Sequence, residues 1–356
     1  MTVDSTIASH VAEIKALPYA KHITAEDVIE RNFGYKIIRQ QVSAGRNSVI
    51  YRCESSRRSD VYCVVKAYKY GKDRVRLSLK EETCQIMRYV SGKISQIIST
   101  YDVFYTNEKI YLMCDWTSRG DVLTNMRMRA IRLNEHILHT WAIDLFNAIN
   151  FLHSNAICHR NLAPSCLLLT NDSHVRIGSL GDACIYTKPD GTLIKQKWAR
   201  FSRLTNWNQP PEVAKGKQYD PRRADIWSAG ATLYWFITRN HPIDYRSSSK
   251  MTKQLDLRLS IMRKVSNKCQ DFVKRMLTFQ PAHRPTIQQA LEMEWLGGAG
   301  GTSHPADQHE SAGATAEITV SEKAADPGEA TGPEETEPES STSKTVMPEP
   351  TNTSPQ

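Results

Sequence analysis

The stretch QPPEVAKGKQYDPRRADIWSAGATLYWFITRNHP, residues 209–242, decides the architecture. Within it Ile226–Ile237 is apolar nearly all round. A helix without a polar face is buried on every side, so this segment reads as the central helix of a helical body. Its most apolar part, Ala229 to Ile237, is interrupted by Thr232 and is too short to span a bilayer. At the N-terminus, MTVDSTIASHVAEIKALPYA shows no apolar run behind a basic cap, so no secretory signal is expected, and no membrane partner is expected either.

Upstream of that helix, His136–His153 places Ile137, Trp141, Leu145, Ala148, Ile149 and Leu152 on one helical face. Further upstream the pattern changes. YKIIRQ (35–40), SVIYRC (48–53) and VYCVVKAY (61–68) are rich in β-branched and aromatic residues and read as strands, with Gly45 and Asn47 marking the first turn. A helix is expected around Leu77–Val90, with Ile86, Met87 and Val90 on one face, then strands at Tyr101–Tyr105 and Ile110–Cys114. The first 34 residues read as a loose lead-in, with Thr24 and Asp27 marking a helix start before Val28 and Ile29. A small β-rich lobe preceding a larger helical lobe is an α+β architecture with a cleft between the lobes.

Residues 297–356 contain only Ile318, Val320, Val346 and Met347 as large aliphatic residues, too few to offset the entropy of ordering. They are expected to form a disordered acidic tail. The tail carries eleven acidic and two basic residues, net −9 against +8 for the whole chain, which leaves +17 on the rest. So basic a body attracts anionic partners. Its charges are nevertheless dispersed, with short pairs such as Arg57-Arg58 and Arg222-Arg223 and no aromatic-studded stripe, so nucleic-acid binding ranks last. Eight cysteines are scattered singly, without a CxxC pair or metal-ligand spacing. They read as reduced, buried thiols of a cytoplasmic protein.

Six short motifs follow one another: CVVK (63–66), HRNLAPSC (159–166), SLG (179–181), PPE (210–212), DIWSAG (225–230) and HRPT (283–286). In order and spacing, over residues 35–296, they resemble the eukaryotic protein-kinase domain. Residues 209–242 are most similar to the testis-specific serine/threonine kinase group. The resemblance implies a bilobal fold with an N-lobe at about 35–114, a hinge at 115–120 and a C-lobe at 121–296. It implies that Lys66 meets nucleotide phosphates, Asp121 meets the ribose, and Ile50, Val64 and Leu168 sandwich the adenine. Glu212 would pair with Arg284, and Asp225 would anchor the catalytic loop. Met87, His159 and Leu180 would join an internal stack. For the apolar positions, plain core packing is an equal reading.

The departures from the family pattern bear on activity. Phosphoryl transfer needs an aspartate near the acceptor hydroxyl and two metal-binding side chains. Asn161 stands where that aspartate belongs, and a neutral amide has no useful basicity. Ala163 replaces the lysine of the same loop. Cys166 replaces the metal-binding asparagine, and a soft sulfur is a poor ligand for a hard cation. Ser179 replaces the principal metal carboxylate; Asp182, three residues on, is not expected to reach into its place across the Gly181 turn. Of the glycine-rich loop only Gly45 remains, in Ser43-Ala44-Gly45-Arg46-Asn47-Ser48. The helix that should offer a glutamate to Lys66 presents Thr83 there, or Glu82 or Glu81 if the register shifts. Counting back from Glu212 puts Thr205 in the substrate loop and Phe201, beside Ser202, at the usual activation-loop threonine.

The resulting expectation is a pseudokinase that binds protein partners, with kinases, substrates or chaperones implied by the resemblance. ATP is expected to bind weakly at most, and magnesium is not expected to bind. The alternative is an atypical active serine/threonine kinase, motivated by Lys66, Arg160, Glu212, Asp225 and Arg284.

Overall fold

The computed structural model describes residues 5–18, 20–44, 48–56, 63–69, 81–197, 208–245 and 250–297. The tail, Gly45, Phe201, Ser202 and Thr205 lie outside these residues, as do the side chains of Val64 and Lys66.

The small lobe is a sheet flanked by helices. Among the described residues its strands run β1 (Lys21–His22), β2 (Tyr35–Ala44), β3 (Ser48–Ser55), β4 (Cys63–Lys69), β5 (Thr100–Tyr105) and β6 (Lys109–Asp115), ordered β1-β5-β6-β4-β3-β2. β1 pairs parallel to β5 and the other pairings are antiparallel. The expected strands at 35–40 and 48–53, with the described part of the third from Cys63 onward, thus form one meander. Lys66 sits mid-strand, opposite Ile50 on one side and Leu112 on the other. Helix α3 (Glu81–Val90) buries Ile86, Met87 and Val90 as their spacing predicted.

The lead-in is not loose. Helix α1 (Ser5–Ala16) packs against α3 and buries Val11 and Ile14 completely, in one core with Cys84 and Ile86. The Gln85 amide donates to the Lys15 and Leu17 carbonyls at 3.1 and 2.9 Å, capping the exit of α1. Helix α2 (Asp27–Phe33) covers the outer face of the sheet, with Ile29 against Val65, Phe104 and Met113. It begins with Glu26, not Thr24, in the cap position, because the chain already turns through Val28 N–H to Ala25 O and Ile29 N–H to Glu26 O. Ile7, Val11 and Ile14 follow helical spacing in the sequence, so the signal for α1 was present. Without a visible partner surface, a 12-residue amphipathic segment is marginal and easily read as loose.

The large lobe is helical: α4 (Val122–Arg127), α5 (Glu135–Ser154), α6 (Pro211–Ala214), α7 (Pro221–Thr238), α8 (Met251–Leu259), α9 (Asn267–Met276) and α10 (Ile287–Leu291). Short pairs β7 (Ile157–Cys158) with β10 (Cys184–Ile185), and β8 (Leu167–Leu169) with β9 (Val175–Ile177), lie between α5 and α6 in the chain. As its composition required, α7 is buried from Ala224 through Phe236. At Gly230 it approaches α9 so closely that a Cβ would lie 2.5 Å from Met276 Cβ. No helix among the described residues is long and apolar enough to cross a membrane. Seven described cysteines are free thiols, six of them buried.

Candidate functional site

Two buried charge networks fix the large-lobe side of the cleft. Asp225, on α7 and fully buried, accepts from the backbone N–H of His159 at 2.8 Å and of Arg160 at 2.7 Å. His153 Nε2 lies 3.1 Å from the same carboxylate. A buried carboxylate needs this degree of pairing. Cys158 Sγ is nearby, but burial, then Asp225, pushes this thiol well above its ordinary range. The trio therefore reads as an anchor for the loop and not as a metal centre.

The second network centres on Arg284, which is 1% exposed. It grips Glu212 through two parallel bonds of 2.7 and 2.8 Å. Its remaining N–H groups reach the Thr278, Arg223 and Phe279 carbonyls at 2.9, 2.9 and 3.2 Å. All five donors are thus used, and the guanidinium lies over the Trp227 ring at 4.9 Å.

The cleft floor is built from the loop 159–166 and the segment after β9. His159 is fully buried, with Nε2 3.0 Å from the Gly178 carbonyl and Nδ1 3.3 Å from the Asn161 backbone N–H. A carbonyl only accepts and an amide N–H only donates, so Nε2 carries the proton and the ring is neutral. Burial accordingly holds its pKa below the ordinary value, against the pull of Asp225. The Cys166 thiol donates to the Asn161 carbonyl at 3.1 Å, and the Gly178 N–H donates to the Cys166 carbonyl at 2.8 Å.

At the position of the missing base, the Asn161 side-chain amide donates to Asp182 Oδ2 at 2.8 Å. Asp182 thus lies at the floor beside Asn161. The 3-10 turn Leu180–Asp182 folds it back, and Ser179 takes the left-handed backbone that starts this turn, at φ +63°. Such a conformation is costly for a residue with a Cβ and is held by surrounding structure. Arg160, also at φ +66°, turns inward and donates from Nε to the Tyr219 hydroxyl at 3.2 Å. Burial works against its charge, but Tyr219, Cys184 and Asp182 together hold its pKa above the ordinary value.

Of the other sequence-derived residues, Asp121 caps α4. Its carboxylate accepts from the Thr124 N–H and the Thr124 hydroxyl, both at 2.8 Å, so both oxygens already carry a bond. Ile50 and Leu168 are half-buried. Thr83 is the inward residue of α3, with its hydroxyl 3.5 Å from the Ala183 carbonyl. Glu82 accepts from the Ile185 N–H at 3.2 Å, and Glu81 is exposed. Met87, His159 and Leu180 are each buried.

Residues 37–296, most of the chain, match the protein kinase domain family. The chain belongs to that family. Among relatives, serine/threonine-protein kinase kin-29 of Caenorhabditis elegans is 27% identical over 225 residues, 63% of this chain and 26% of the relative. Sperm motility kinase 3A of Mus musculus is 30% identical over 203 residues, 56% of this chain and 38% of the relative. The probable serine/threonine-protein kinase MARK-A of Dictyostelium discoideum is 26% identical over 234 residues, 65% and 21% respectively. The chain thus spans well under half the length of these relatives.

Kinases of this fold hold magnesium through a carboxylate and an amide oxygen of the cleft floor. The residues here do not fit that ion. The Cys166 thiol is soft and donates its proton inward, Ser179 offers no carboxylate, and the Asn161 amide is turned to Asp182.

Proposed function

We propose that this protein-kinase domain is a pseudokinase that works by binding protein partners. One observation carries the reading: the side chain at the base position is a neutral amide already hydrogen-bonded to Asp182. The Asn161 amide itself has no useful basicity with which to take the proton of a hydroxyl arriving there. The unsuitable donor set for magnesium points the same way, since charge neutralisation is often the largest catalytic contribution. Lys66, central in the sheet, supports weak ATP binding without turnover. Asp121, which caps α4, adds little to that case. The similarity to serine/threonine kinases, a sperm motility kinase among them, supports a signalling scaffold with kinase, substrate or chaperone partners. A testis-specific-like placement and a cytoplasmic setting belong to the same reading.

The test is thermal melting of the purified chain with and without ATP, each in magnesium or EDTA, alongside phosphate incorporation compared with Lys66→Met. The expected result is a small, magnesium-independent rise in Tm, since a ligand bound only by the folded state must stabilise it, and no incorporation above the variant. Magnesium-dependent incorporation that Lys66→Met abolishes would overturn the pseudokinase reading in favour of an atypical kinase.

A further inference from the structure

The hydrogen bonds of the cleft floor form a closed circuit. Asn161 N–H donates to His159 Nδ1, His159 Nε2–H to Gly178 O, Gly178 N–H to Cys166 O, and the Cys166 thiol back to Asn161 O. The Asn161 amide reaches out of this circuit toward the segment following Gly181, donating to Asp182 at 2.8 Å. That contact joins the two stretches of chain that a cation bridges in catalytic members of the fold. The bond is charge-assisted and needs no ion.

We propose that Asn161 and Asp182 form a clasp that takes over the positioning role of the metal, tying the catalytic-loop turn directly to the start of the activation segment. This rests on the pseudokinase reading and gives the substitution at 161 a purpose. An aspartate at 161 would set a second carboxylate oxygen 2.8 Å from Asp182 with no proton between them. Like charges so close disfavour one another strongly. Asn161 is therefore matched to Asp182, and restoring the family residue breaks the floor instead of repairing it.

The experiment is a swap cycle on the whole chain: Asn161→Asp, Asp182→Asn and the double variant, each melted in EDTA and in millimolar magnesium or manganese. In EDTA, Asn161→Asp should melt lower by roughly 2–6 °C. Magnesium or manganese should return part of that loss, because the new carboxylate pair offers hard oxygen ligands. Asp182→Asn should cost less, and the swap, with the amide now at 182 and the carboxylate at 161, should melt within about 2 °C of the native chain. If Asn161→Asp does not fold, a folded swap variant still establishes the clasp. A swap that melts as low as Asn161→Asp, or an Asn161→Asp that melts like the native chain and ignores cations, overturns it. The outcomes are distinguishable: phosphate incorporation by the native chain sinks the pseudokinase reading and the replacement of the metal while leaving the Asn161–Asp182 coupling intact, and an uncoupled swap sinks the clasp alone.

Discussion

The anchors beneath the cleft and the floor of the cleft treat charge in opposite ways. Beneath it, Asp225 and Arg284 are buried, Glu212 is nearly so, and all three are fully used, each oxygen or N–H meeting a partner. On the floor, the family's catalytic and metal-binding positions hold Asn161, Cys166 and Ser179, and the groups of the catalytic loop hydrogen-bond to one another. The difference follows from what each charge requires. A buried carboxylate paired with a guanidinium or with backbone amides carries its own compensation. Two cleft carboxylates facing one another have none unless a cation is bound. On the reading proposed above, in which no cation is held, the anchors stay charged while the floor positions 161 and 179 carry neutral side chains. Fold and chemistry in this domain therefore rest on separable residues.

The largest effect should come from breaking an anchor. Arg284→Met leaves the largely buried Glu212 without its counter-charge and the Thr278, Arg223 and Phe279 carbonyls without a donor. Removing one member of a buried pair typically costs about 3–5 kcal/mol. Urea denaturation should show a loss of that size. A loss below about 1 kcal/mol would mean that the anchor is as dispensable as an exposed ion pair, and the contrast drawn above would fail.

A second break concerns the small lobe, where the contrast predicts that packing, not nucleotide, holds α3. Ile14 on α1 is fully buried against α3, and Ile14→Ala should cost about 2–5 kcal/mol. Hydrogen exchange should show the loss concentrated in α1 and α3. If α1 protection falls while α3 is unchanged, the N-terminal helix is ornament and α3 is held by other contacts.

These two sites also mark what could be read in the sequence. Arg284, Glu212 and Asp225 were legible because their chemistry needs those residue types at fixed places in motifs, and the central helix because nothing polar interrupts its buried faces. The substitutions at 161, 166 and 179 were legible for the same reason. Their geometry was not. That Asp182 reaches Asn161 depends on a left-handed turn at Ser179, a position where residue type gives no hint of positive φ. That Asp121 would spend its carboxylate on Thr124 was open to local reading, since Asp three residues before Thr at a helix start is a capping pattern. The choice among Glu81, Glu82 and Thr83 turned on helix rotation, which packing against Ala183 and Ile185 sets and a single sequence cannot.

The smallest predicted effect sits where the two regions meet. His159 belongs to the floor circuit yet hangs from Asp225 by its backbone, and it is held neutral with its pKa below the ordinary value near 6.5, chiefly by burial. A group whose pKa is lower in the folded state adds stability that is complete above the unfolded value and is lost as pH falls toward the folded one. His241, also depressed by burial, adds in the same direction. Tm should hold steady from pH 8 to 7 and decline below about 6.5, as the unfolded chain takes up protons that the buried His159 and His241 rings resist. Proton NMR should show the His159 ring still neutral at a pH where exposed histidines have charged. Protonation would leave Nδ1–H facing the Asn161 N–H, two donors with no acceptor between them, so the circuit opens as the ring charges. A His159 that titrates near 6.5 with no change in Tm would show that the circuit does not constrain the ring, and the floor would then owe its shape to the anchor alone.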